Sequence, residues 1–191
     1  MRIRNLVLLA CLAVSNSFAA TIFYTATLSG PNESPTNASP GTGSAIVSFD
    51  TVTNMLTVNV LFSGLTGTTT ASHIHCCTAV PFTSTAIVAT ETPTFGGFPL
   101  GVTSGTYSNS YNLTLAASFN SAFITASGGT VAGAETAFVA GLANGTSYLN
   151  IHSTTFPGGE IRGFLVPTPE PATFALVGAG LLGLAFLRRK L

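Results

Sequence analysis

The sequence predicts a mostly β fold, a sandwich or barrel-like arrangement of short strands with one short helix, carried between two apolar terminal segments. Three observations point there. Thr, Ser, Gly, Ala, Val and Phe dominate the chain and only 6% of its 191 residues are charged, a mixture in which Thr and the β-branched residues suit a pleated, half-buried surface. Apolar and polar residues alternate with period two in several short runs bounded by Gly, Pro or Asn, which is the pattern of strands joined by turns. Helical spacing marks one internal stretch.

Taken in order, Ile22 to Leu28 alternates and ends at Ser29-Gly30-Pro31-Asn32, a strand running into a turn. Ser44 to Phe49 and Met55 to Phe62 alternate on either side of Asp50-Thr51-Val52-Thr53-Asn54 and form a hairpin with a short loop. Ser72 to Cys77 and Ala86 to Thr90 read as further strands, and the Gly/Pro/Ser-rich stretch from Pro93 to Ser110 as a long loop at the sheet's edge. Ala134, Ala137, Phe138, Gly141 and Leu142 recur at helical spacing before Asn144-Gly145, so Ala134 to Leu142 is the helix and Asn-Gly its stop. Tyr148 to His152 and Ile161 to Val166 close a final hairpin across Phe156-Pro157-Gly158-Gly159.

The ends carry addresses. Five of the six basic residues lie there, and Arg162 is the only one between. Arg2 and Arg4 precede the apolar Leu6 to Val14, and Ser17-Phe18-Ala19 places small residues before a cut, so residues 1–19 form a secretory signal peptide. At the other end, Pro169-Glu170-Pro171 is followed by the uncharged run 172–187 and then by Arg188-Arg189-Lys190. This segment, residues 167–191, resembles the PEP-CTERM sorting signal of Gram-negative bacteria. The resemblance implies a transmembrane helix over 172–187, secretion machinery and an exosortase-type membrane enzyme as partners, and an exported protein at the cell surface or outside it, transiently anchored by that helix.

Residues 20–166 are long enough for one domain with a single core. They carry Glu33, Asp50, Glu91, Glu135 and Glu160 against Arg162 alone, a formal charge of minus four. No basic stripe exists to neutralise phosphates, which excludes nucleic acid as a partner.

The three histidines of the chain are His73, His75 and His152. Residues two apart on a strand share a face, so His73 and His75 point the same way, and Cys77 joins them if the strand persists. Imidazole and thiolate are ligands for zinc or copper, and three suffice for a site with an open position. The competing reading, and the one the sequence favours, is a hydrogen-bonded cluster that pins strand ends through backbone carbonyls. Cys76 and Cys77 are neighbours whose state stays open between a vicinal disulfide, an intermolecular bridge and free thiols, with an oxidised form favoured outside the cytoplasm. Nothing else suggests catalysis: Asp50 sits in a hairpin turn and the serines lack a Gly-x-Ser-x-Gly elbow. The sequence is read as that of a non-enzyme.

Three segments share the order and spacing of a known module: Leu28-Ser29-Gly30-Pro31-Asn32-Glu33-Ser34-Pro35, His73-Ile74-His75, and Tyr148-Leu149-Asn150-Ile151-His152 with Pro157-Gly158-Gly159-Glu160-Ile161-Arg162-Gly163. The chain resembles the CHRD domain, named for the animal protein chordin and found in bacterial secreted proteins. It departs from that pattern at Cys76-Cys77, where Gly is usual, and at Ser34-Pro35, where Pro-Pro is usual. The resemblance implies an immunoglobulin-like β-sandwich akin to copper-zinc superoxide dismutase, without a defined activity. Within the motifs, Glu33, Asn150, Glu160 and Arg162 read as structural, with Glu160 and Arg162 on one strand face and Arg162 paired to Glu160 or Glu33. The first expectation is a structural or binding component of the bacterial envelope or extracellular matrix, its partner an envelope polysaccharide or protein. The alternative is a copper- or zinc-binding protein.

Overall fold

A computed structural model describes residues 21–168, and its eight strands form one curled antiparallel sheet. β1 (Thr21–Ser29), β2 (Thr42–Asp50) and β3 (Met55–Ser63) pair in sequence order, β5 (Gly105–Asn112) adds to the free side of β3, and β8 (Val166–Thr168) lies beside the start of β1. On the other side, β4 (Thr69–His75), β6 (Tyr148–Ser153) and β7 (Ile161–Phe164) pair in the order β4-β6-β7, and β7 meets β1 through Ser29 and Arg162. The two separate layers of a sandwich are therefore replaced by a single sheet bent at this narrow join. Gly163 stands at the bend because a Cβ there would lie 2.3 Å from the Thr27 carbonyl oxygen.

The alternation read in β1, β2 and β3 puts Tyr24, Leu28, Val47, Phe49, Leu56, Val58 and Phe62 into one core. Ile74, Leu149, Ile151 and Ile161 of the other half, and Phe138 and Leu142 of a helix, join the same core. The β2–β3 turn is closed by Asp50, whose Oδ1 accepts from the N–H groups of Val52 and Thr53 at 2.9 and 2.8 Å.

The helix predicted over Ala134 to Leu142 is α2 (Val131–Ala143), capped by Thr130 and ended at Asn144, with Gly145 at φ +68°. A second helix, α1 (Ser121–Ala126), precedes it and was not foreseen: at six residues it is too short to show a period, and only its Asn120 cap marks it. Ala86 to Thr90 is not a strand of the sheet, making only isolated bridges from Val88 to His75 and from Thr90 to Phe119. The expected loop from Pro93 to Ser110 ends instead in β5, whose inward residues Tyr107 and Tyr111 are four apart with exposed Asn109 between them, so its alternation is broken. β4 stops at His75, short of Cys77.

Among the described residues no helix is long and apolar enough to cross a membrane. The predicted span over 172–187 lies outside the described residues, as do the signal peptide 1–19 and Pro169, Glu170, Pro171, Arg188, Arg189 and Lys190.

Candidate metal centre

Strand pairing builds the centre. In the β4–β6 register His73 faces Asn150, His75 faces Tyr148 and Ala71 faces His152. One face of this pair thus carries His73 and His75 from β4 and Tyr148, Asn150 and His152 from β6, while Ile74, Leu149 and Ile151 point the opposite way into the core. Arg162, opposite Asn150 on β7, completes the polar face.

The three imidazoles crowd together, with ring centroids 5.3 to 6.1 Å apart. One nitrogen per ring lies within 4.8 Å of one nitrogen on each of the other two. Each ring also bonds one carbonyl: His73 Nε2 to Pro93 at 2.6 Å, His75 Nδ1 to Ala86 at 2.9 Å and His152 Nδ1 to Pro157 at 2.9 Å. A carbonyl only accepts, so each bonded nitrogen carries the proton and the other holds a lone pair. Those other nitrogens, Nδ1 of His73 and Nε2 of His75 and His152, are buried and have no partner.

Electrostatics keeps the rings neutral. Burial pushes all three pKa values down, that of His75 to about 4, with the positive Arg162 adding to the effect there. Neutral imidazole is the ligand form, and a ligating histidine usually donates its second N–H to a carbonyl or carboxylate that fixes its tautomer. Tetrahedral zinc at 2.0 to 2.1 Å spaces its nitrogens about 3.4 Å apart. Going from separations of up to 4.8 Å to that spacing takes an inward shift of at most about 0.8 Å at each nitrogen.

Around the rings sits a buried frame. Tyr148 stacks on His75 with centroids 4.7 Å apart, and its hydroxyl accepts from the Ala86 N–H at 3.2 Å. The Arg162 guanidinium lies 4.7 Å from the Tyr148 ring, donates to the Ser84 carbonyl at 3.0 Å and also to that of Asn32, and has Nε 3.8 Å from Glu33 Oε2. Burial raises Glu33 to about 7, against the lowering pull of Arg162 and of the Ser34 N–H.

Of the pairings expected for Arg162, Glu33 is the one formed. Glu160 precedes β7 rather than sharing its face, and its carboxylate takes hydrogen bonds from Ser39 Oγ at 2.6 Å, from Gly67 N–H at 3.2 Å and from Thr66 N–H. Burial raises its pKa, but these bonds and one from Ser153 outweigh it and leave the group below its ordinary value. Asn150 keeps its place on the polar face, its Oδ1 buried without a partner. Cys77 is not part of the centre: it is joined to Cys76 in a vicinal disulfide with Cα atoms 3.1 Å apart, and its sulfur lies 3.4 Å from the Ala137 carbonyl on α2. Of the three states left open for the pair, this structure shows the vicinal disulfide, and the strand that would have carried Cys77 has ended two residues earlier.

Sequence reading missed Ser39 and Asn37, whose amide donates to the carbonyls of Gly159 and Glu160 at 3.2 and 3.1 Å. No local pattern betrays such contacts across more than 120 residues. Pro93 and Ala86, the carbonyl partners of His73 and His75, were also invisible, because only the fold brings that loop against β4.

Comparison with known proteins agrees with the motifs. The CHRD domain family matches residues 24–165, and the PEP-CTERM protein-sorting motif matches residues 167–190. No curated protein and no solved structure matches the chain.

Proposed function

The chain belongs to the CHRD domain family, and from that premise we propose that it is an exported, surface-sorted, non-enzymatic metal-binding module in which His73, His75 and His152 hold one copper or zinc ion. The sorting motif implies export to the envelope or surface and recognition by an exosortase-type enzyme. One observation carries the metal: three buried, partnerless ring nitrogens on one sheet face, each ring held by a carbonyl on its far side. A purely structural cluster would use both nitrogens of each ring, since every buried unpaired polar group costs about 1–3 kcal/mol. An ion satisfies all three at once. Imidazole suits copper and zinc, and three ligands leave a position open. The Cys76–Cys77 disulfide fits an oxidising compartment.

Elemental analysis of the purified protein after exposure to copper or zinc tests this, beside His73→Ala, His75→Ala and His152→Ala. One ion per chain, lost in each variant, is the expected result. A protein that stays metal-free, or three variants that keep the ion, would return the histidines to a structural role.

A further inference from the structure

The Cys76–Cys77 disulfide takes no part in the metal centre, and a structural cross-link is a poor account of it. A bridge stabilises a fold by closing a loop of the unfolded chain, more so as the loop grows. Here the two cysteines are adjacent in sequence, so there is no loop to close.

The surroundings of the pair suit thiols better than a disulfide. The sulfurs rest on α2 where Gly141 leaves room: a Cβ there would lie 2.3 Å from Cys76 Sγ, 2.9 Å from Cys77 Sγ and 2.9 Å from Ser147 Oγ. Both sulfurs and the Ser147 hydroxyl therefore border one small space. That hydroxyl is fully buried and has no hydrogen-bond partner, a destabilising state for a polar group. One turn earlier on the helix, the Ala137 carbonyl oxygen lies 3.9 Å from Cys76 Sγ and 3.4 Å from Cys77 Sγ. Both separations are within reach of a thiol S–H, which is a weak donor, whereas a disulfide has no hydrogen to give. Access is also present. A hollow of about 460 Å³ opens against the pair between Ile87, Phe123, Ala126 and Ala137, with no charged side chain in its lining. Cys77 is exposed, while Cys76 is buried.

We propose that Cys76 and Cys77 form a redox-active pair that exchanges with a small thiol entering this hollow. A thiolate attacks the exposed Cys77 Sγ, forming a mixed disulfide and breaking the Sγ–Sγ bond. The bonding electron pair leaves on Cys76 Sγ, where the Ser147 O–H donates to it in a charge-assisted hydrogen bond until it takes a proton from water. A second thiolate attacks the small-molecule sulfur of the mixed disulfide and releases Cys77, which is protonated in turn. Two thiols are thus oxidised to one disulfide as the two cysteines are reduced, and the cysteine S–H groups gain Ala137 as acceptor. A disulfide whose reduced form is stabilised is the more oxidising one, so these contacts favour reduction of the pair. The inference does not rest on the metal centre.

The test uses purified protein before copper or zinc is added, because thiols bind both metals. It is equilibrated in glutathione buffers of graded [GSH]²/[GSSG], and the peptide carrying residues 76 and 77 is alkylated and weighed. The expected result is reduction within the glutathione range while circular dichroism stays native. Ser147→Ala should need about tenfold stronger reducing conditions, since it removes the donor to Cys76. Ala126→Trp, which fills the hollow from an exposed position, should leave that equilibrium unchanged and slow the exchange about tenfold. A pair that resists glutathione until the protein unfolds is a structural disulfide and overturns the proposal. So does Ser147→Ala with a wild-type equilibrium, or Ala126→Trp with a wild-type rate.

Discussion

Lowering the pH is the sharpest probe of the three-histidine centre, because its buried rings should resist protonation. Metal affinity falls as ligands protonate, and three histidines at the ordinary value of 6.5 would weaken binding about a thousandfold between pH 7.5 and 5.5. In this protein His75 is held at about 4, so its own tenfold share of that loss disappears. His73 and His152 are lowered as well, mainly by burial. The expected loss is therefore no more than about a hundredfold. Competition against a zinc-responsive dye at the two pH values measures it directly. Thermal denaturation gives a second reading: metal at a hundred times its dissociation constant adds about 2.7 kcal/mol, which for a domain of this length raises Tm by about 8 °C. Glu33, at about 7, titrates in the same window, so the series is repeated in Glu33→Gln to separate its charge from the ligands. A thousandfold fall in both proteins would refute the burial argument, and no metal-dependent rise in Tm at pH 7.5 would refute the site.

Other outcomes follow from the frame. Arg162→Ala should cost about 3–5 kcal/mol in chemical denaturation, since it strands buried Glu33 and removes the donor to Asn32 and Ser84; unchanged stability would free Arg162 for a binding role. Gly163→Ala should cost at least about 2 kcal/mol, because its Cβ meets the Thr27 carbonyl at the bend, and an ordinary Tm would mean the join is loose. In metal-free protein, Glu33 and His75 pull against each other with pH. A carboxyl raised to about 7 favours the folded state at low pH and loses that advantage as pH climbs from 4.5 to 7, whereas a histidine lowered to about 4 costs stability as pH falls from 6.5 to 4. Glu33 and His75 are each worth up to about 3 kcal/mol, and lowered His73 and His152 add to the loss at low pH, so stability should fall as pH drops from 6.5 to 4.5 in both proteins and more steeply in Glu33→Gln; parallel profiles would show that Glu33 is not perturbed. Replacing both Cys76 and Cys77 by Ser should leave metal stoichiometry at one, and a loss would put sulfur back in the centre.

What was legible in the sequence is what repeats locally. The β2–β3 hairpin, the final β6–β7 hairpin and α2 were read from period and turn chemistry, because burial on one face writes that period into the chain. β5 was hidden by polar Asn109 between its two buried tyrosines, where an edge strand needs no strict alternation. Cys77 failed as a ligand for a related reason. Periodicity says which residues share a face only while the strand lasts, and nothing in Ser72 to Cys77 shows it ending at His75.

The histidines were found from spacing and rarity, but their role was weighed differently by sequence and by structure. Sequence favoured a hydrogen-bonded cluster, as histidines near Glu160 and Arg162 suggested. In the fold Glu160 turns toward Ser39, Thr66 and Gly67, and Arg162 lies against Tyr148, Glu33 and the carbonyls of Asn32 and Ser84. Neither supplies a hydrogen bond to the free ring nitrogens. The partners that do bond the rings are carbonyls of Ala86, Pro93 and Pro157, and they consume only the N–H side. What calls for an ion is the hydrogen bond that each ring lacks, and that lack exists only once the loop from Cys76 to Pro93 has been laid against β4.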